Sequence, residues 1–82
     1  MKAKEMFEEL GYKVDELDFE DYNVSIRYIK KVNSYPNDWF ITFRKNKTWF
    51  SYGGIDYIDE ITIDKFKAIQ KQMKELGWLD EK

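Results

Sequence analysis

Apolar positions recur at helical spacing near both ends of the chain and alternate with polar ones in its middle. Ala3, Met6, Phe7 and Leu10 fall at i, i+3, i+4 and i+7, which lines one side of a helix, and Gly11 stands where a left-handed cap would close it, with Tyr12 just beyond. Ile63, Phe66, Ile69, Met73 and Leu76 make the corresponding stripe of a second helix, with Thr62 or Asp64 as its starting cap and Gly77-Trp78 at its close. The endings Glu9-Leu10-Gly11-Tyr12 and Glu75-Leu76-Gly77-Trp78 match. Convergence accounts for this better than duplication, because a glycine cap followed by an aromatic lets the aromatic fold back onto the last turn.

Between the helices the period falls to two, in residues that favour strands. Val24, Ile26 and Tyr28 alternate with Ser25 and Arg27; Trp39, Ile41 and Phe43 alternate with Phe40, Thr42 and Arg44; Phe50 and Tyr52 alternate with Trp49 and Ser51. Arg44 to Lys47 reads as a tight hairpin centred on Lys45-Asn46, since asparagine tolerates positive φ. Pairing Arg44 with Lys47 then sets Phe43 opposite Thr48, Ile41 opposite Phe50 and Trp39 opposite Tyr52, with all these large apolar side chains on one face. The other face carries Ser25, Arg27, Phe40, Thr42, Arg44, Lys47, Trp49 and Ser51. Tyr57 to Ile61 reads as a short edge strand, Tyr12 to Leu17 as a further candidate, and Val32 to Asn37 as a loop in which Tyr35-Pro36 is a candidate cis bond. The expected class is α+β: helix, three- to four-stranded antiparallel sheet, helix, with both helices on one face of the sheet.

Length makes this a single domain, residues 1–82, and the absence of cysteine removes any disulfide staple, so the aromatics, 18% of the chain, must supply the core. No stretch approaches the length of a membrane span, and the opening residues lack the apolar run of a signal peptide, so a cytoplasmic location without membrane contact is expected. The net charge of −2 conceals a segregation: residues 1–21 sum to −5, residues 22–50 to +5, and the remainder to −2. Such a dipolar surface can steer a charged partner.

The chemistry of catalysis finds little support. Neither histidine nor cysteine occurs, which removes the usual zinc ligands, thiol nucleophiles and imidazole bases, and leaves Ser25, Ser34 and Ser51 without a histidine partner. Asp15, Glu16, Asp18, Glu20 and Asp21 read as a solvated acidic run; they lack the central glycine and the closing bidentate glutamate of a calcium loop. Gly53-Gly54 reads as a turn, without the lysine and hydroxyl residue of a phosphate loop. No enzyme, no cofactor and no metal is expected.

At the two ends the chain resembles a known group. Met1-Lys2-Ala3-Lys4-Glu5-Met6-Phe7-Glu8-Glu9-Leu10-Gly11-Tyr12 and Phe66-Lys67-Ala68-Ile69-Gln70-Lys71-Gln72-Met73-Lys74-Glu75-Leu76-Gly77-Trp78 look like the start and end of small uncharacterised accessory proteins of Firmicutes phages and prophages, around a variable aromatic strand region. Phe66-Lys67 stands where those relatives usually show Glu-Leu. The resemblance implies a helix-sheet-helix accessory protein, of a kind that often binds and blocks a host factor, including components of immune defence; it carries over no catalytic residue.

The aromatic and basic middle is therefore the expected site. Trp49 and Phe40 form its centre, Arg27, Arg44 and Lys47 its polar rim, and Thr42 the cross-strand partner of Trp49. A host protein is the first expected partner, since tryptophan, tyrosine and arginine dominate interface hot spots. A second reading is a small-ligand or nucleotide sponge, in which paired subunits of a homo-oligomer hold an anionic ligand between aromatic planes and arginines. A third is a single-strand nucleic-acid binder, against which the net negative charge weighs.

Overall fold

The first helix is short and closed at both ends. α1 spans Ala3–Glu9, and Glu5 accepts a hydrogen bond from the Lys2 backbone N–H. Past Leu10, Gly11 takes φ +91°, the Tyr12 N–H returns to the Phe7 carbonyl and the Gly11 N–H to that of Glu8, the double closure of a Schellman motif. α2, Ile63–Glu75, repeats the device: Gly77 has φ +77°, the Trp78 N–H reaches the Met73 carbonyl and the Gly77 N–H that of Lys74. At its start Thr62 accepts from the Lys65 N–H. A Cβ at Gly77 would meet nothing within 4 Å, so Gly77→Ala should cost about 1 kcal/mol through the backbone alone. A thermal melt that leaves the variant as stable as the parent would remove the cap from the argument.

A computed structural model describes residues 1–16, 23–31, 38–53 and 61–79. Between the helices it contains β1 (Lys13–Val14), β2 (Val24–Lys30), β3 (Trp39–Arg44) and β4 (Trp49–Tyr52), in one antiparallel sheet of order β1-β2-β3-β4. The α+β class, the helix-sheet-helix order and the count of four strands agree with the sequence. Among the described residues the fourth strand, Lys13–Val14, falls within the candidate at Tyr12 to Leu17; the expected strand at Tyr57 to Ile61 and the Tyr35-Pro36 bond lie outside the described residues, apart from Ile61, which is in no strand.

Two expectations are corrected. The hairpin loop is Lys45-Asn46-Lys47, one residue longer than expected, with Lys47 rather than Asn46 at positive φ (+67°). The Lys47 N–H donates to the Arg44 carbonyl and the Arg44 N–H to that of Thr48, while the Asn46 side chain accepts from both the backbone and the hydroxyl of Thr48. This is a type I turn followed by a left-handed residue, and it slides β4 by one position: Phe40 pairs with Tyr52, Ile41 with Ser51, Thr42 with Phe50 and Phe43 with Trp49. The second correction concerns α2. Ile63 (73% exposed) and Phe66 (50%) point away from the core, and Ala68, Ile69 and Gln72 form the buried side.

Residues of both helices meet the same side chains of the sheet. Phe7 of α1 stacks on Tyr28 with centroids 4.0 Å apart and meets Phe43 edge-on at 6.3 Å; Gln72 of α2 accepts a 2.5 Å hydrogen bond from the Tyr28 hydroxyl, and Trp78 tilts against Phe43. Ala3, Phe7, Tyr12, Tyr28, Ile41, Phe43, Ala68 and Ile69 make the buried cluster. Glu75, at the end of α2, accepts a 2.6 Å hydrogen bond from the Ala3 N–H, placing a carboxylate at the positive end of α1. Burial raises the Tyr28 hydroxyl pKa well above its ordinary value, with the charges of Glu75 and Glu8 adding to the effect. The unfolded chain ionises this tyrosine from about pH 10 and the folded chain resists. The Tyr28 contribution should therefore be intact below about pH 10 and fade above it, a loss that Tyr28→Phe should abolish in alkaline denaturation curves.

Candidate binding surface on the outer sheet face

Side-chain alternation sets Ile26, Tyr28, Ile41, Phe43 and Trp49 toward the core and leaves Arg27, Ile29, Phe40, Thr42, Arg44, Phe50 and Tyr52 on the outer face. Cross-strand register brings these outer residues into one row. Phe40 and Tyr52, directly paired, stack at 5.0 Å with 26° between planes, and Phe50 continues the row against Tyr52 at 5.6 Å and 16°. A guanidinium closes each end: that of Arg27 sits 3.9 Å from the Phe40 centroid, that of Arg44 5.0 Å from the Phe50 centroid. Arg27 also donates a 2.7 Å hydrogen bond from Nη2 to the Tyr52 hydroxyl, and its Nε lies 3.7 Å from Asp15 Oδ2. Backbone geometry brings Asp15 there, for its N–H donates to the Arg27 carbonyl beyond the end of β1.

Of the residues expected at the site, Phe40, Arg27 and Arg44 are brought together on this face. Lys47 lies beside them, exposed in the hairpin loop. Trp49 does not join them: the slid register sends it to the core side opposite Phe43, half-buried against the cluster. Thr42 lies in the outer row but is 3% exposed between its neighbours Arg27 and Phe50, so it supports the surface without presenting itself. Its hydroxyl has no hydrogen-bond partner among the described residues. Thr42→Val should therefore stabilise the fold by about 1 kcal/mol, read from the urea midpoint; a loss of stability would mean that the hydroxyl is bonded.

Sequence reasoning missed Phe50, Tyr52 and Asp15. The first two were assigned to the core by the one-residue slip. Asp15 carried a usable signal, an acid within the candidate strand Tyr12 to Leu17, whose observed part, Lys13–Val14, pairs with the strand that bears Arg27.

Along the β1 side of the face runs a groove of about 780 Å³, lined by Lys13, Asp15, Arg27, Ile29, Asp38 and Phe40 together with residues of α1. Asp38 is buried there, and its Oδ1 has no hydrogen-bond partner among the described residues. The described residues contain no group of three or more acids placed to hold a metal ion, and no helix long and apolar enough to cross a membrane.

Comparison with protein-family models, with curated proteins and with solved structures finds no match to this chain.

Proposed function

We propose that this is a non-enzymatic binding protein that acts by covering a surface of a host protein with its outer sheet face. The carrying observation is the row Phe40, Tyr52 and Phe50 held between Arg27 and Arg44, a flat aromatic strip with 41% of Tyr52 exposed at its middle. Aromatic and arginine side chains fixed in this way lose little freedom on binding, which is what makes them anchors of protein interfaces. The same packing weighs against the nucleotide and single-strand readings. A base stacks on a free ring face, whereas Phe40 and Phe50 each already meet a guanidinium and a neighbouring ring. The resemblance of both helices to phage accessory proteins supplies the context, a mobile-element protein directed at a host factor such as a defence component.

The test is capture from host lysate by the immobilised chain, with mass spectrometry of what is retained, beside the Tyr52→Ala variant. A partner held by the parent and lost by the variant supports the reading. Equal retention by both, or retention of nothing, overturns it.

A further inference from the structure

The two arginines that close the aromatic row differ in their electrostatic surroundings. Arg27 has Asp15 beside it and the Tyr52 hydroxyl bonded to it. Arg44 lies over the Phe50 ring, and no ion pair or hydrogen bond reaches its guanidinium among the described residues. Next to it the loop exposes two further cations, Lys45 and Lys47. Lys47 holds φ +67°, the left-handed conformation that the hairpin turn requires of it and that glycine would adopt without strain. Asn46 between them is uncharged, and its side-chain oxygen accepts from Thr48. The hairpin end of the face is thus a cationic corner whose guanidinium lies over an aromatic ring.

We propose that this corner, Arg44 with Lys45 and Lys47, receives the carboxylates of an acidic segment on a protein partner. The proposal deepens the reading above and rests on it. A guanidinium presents its donors as a fork matched to a carboxylate, and the position of Arg44 over the Phe50 ring already meets part of the ordering cost. The opposite end of the face decides between an acidic protein and a nucleic acid. The groove on the β1 side mixes the acids Glu8, Asp15, Glu16 and Asp38 with the cations Lys4, Lys13, Arg27 and Lys31, so a strand of phosphates laid along the face would find no continuing track of cations, on a chain whose net charge is −2. A protein surface that is acidic at one end and apolar beyond it suits the cationic corner and the aromatic row together.

The test uses the full chain, labelled with nitrogen-15 and titrated with a capped pentapeptide of four glutamates around one phenylalanine. A matching peptide with lysines in place of the glutamates and a short oligothymidylate serve as the other arms. The acidic peptide should move the amide signals of residues 44–50 saturably, with a dissociation constant of roughly millimolar order and binding that weakens as salt rises. Arg44→Gln should weaken it about tenfold, and Arg44→Lys should restore only part, because the charge returns without the planar fork. The double variant Lys45→Gln with Lys47→Gln, confined to the loop, should weaken it by a smaller factor and covers the case in which Arg44 variants fail to fold. Equal response to both peptides, shifts centred on the Asp15 end, no response to the acidic peptide, or tighter binding of oligothymidylate would each overturn the proposal. The two readings fail separately. Tyr52→Ala tests partner capture and leaves Arg44 on Phe50, whereas a chain that captures its partner yet ignores the acidic peptide loses only the carboxylate assignment.

Discussion

Phe7→Ala should destabilise the protein by about 3 to 5 kcal/mol, the range for removing a buried aromatic ring. A chain of 82 residues has a folding free energy of only about 4 to 12 kcal/mol, so the variant should be largely unfolded at moderate temperature or survive only at low urea. The size follows from position. Phe7 is fully buried on a seven-residue helix too short to persist alone, and its ring is the contact between that helix and the sheet residues Tyr28 and Phe43. Phe66→Ala is the paired control, the same chemistry on a side chain half exposed on α2, and should change stability by no more than about 0.5 kcal/mol. Urea denaturation followed by circular dichroism reads both. Equal midpoint shifts would mean that α2 turns its Phe66 side inward and that the core has been misassigned.

The second large effect separates stability from binding. Trp49→Ala should cost about 2 kcal/mol of stability, because the indole is half-buried against the core opposite Phe43. Tyr52→Ala should cost about 1 kcal/mol, the loss of two ring contacts and the Arg27 hydrogen bond at a partly exposed site. For partner binding the order reverses: removing a hot-spot aromatic commonly costs 2 kcal/mol or more, about thirtyfold in affinity, and Tyr52 is the ring presented. Melting curves and binding isotherms of the two variants give four numbers whose pattern is diagnostic. If Trp49→Ala melts with the parent yet no longer binds, the tryptophan lies on the outer face and the hairpin register described above is wrong.

That register marks the boundary of what could be read from the sequence. The helix ends were legible because their determinants are local: a leucine, a glycine at positive φ and an aromatic within three positions suffice, at Gly11 and again at Gly77. Strand identity was legible in the alternation around Ile41 and Phe43. The hairpin was not, because its register depends on which residue of Lys45-Asn46-Lys47 turns left-handed. The preference of asparagine for that conformation was outweighed here by the bonds its side chain makes to Thr48. One residue of slip exchanged Trp49 for Phe50 and Tyr52, so Phe40, Arg27 and Arg44 were found while the middle of the aromatic row was missed. The stripe on α2 failed for a different reason. Spacing alone admits Ile63 and Phe66, whereas the helix is rotated by a polar contact no periodicity records, Gln72 on the hydroxyl of Tyr28.

The hydrogen bond from Ala3 to Glu75 joins positions 72 apart in the chain. At translation rates of about 5 to 20 residues per second, roughly 4 to 14 s separate the synthesis of these two residues. Through that interval the first helix lacks the Glu75 carboxylate at its leading amide and α2 at its side, so the first made of these two helices is secured only with the second. Formation of the native state therefore waits on the emergence of α2, and until then the nascent chain holds Tyr28 without Gln72 and Phe43 without Trp78. Slowing synthesis between β4 and α2 would lengthen that interval and give chaperones or proteases longer to act on the chain.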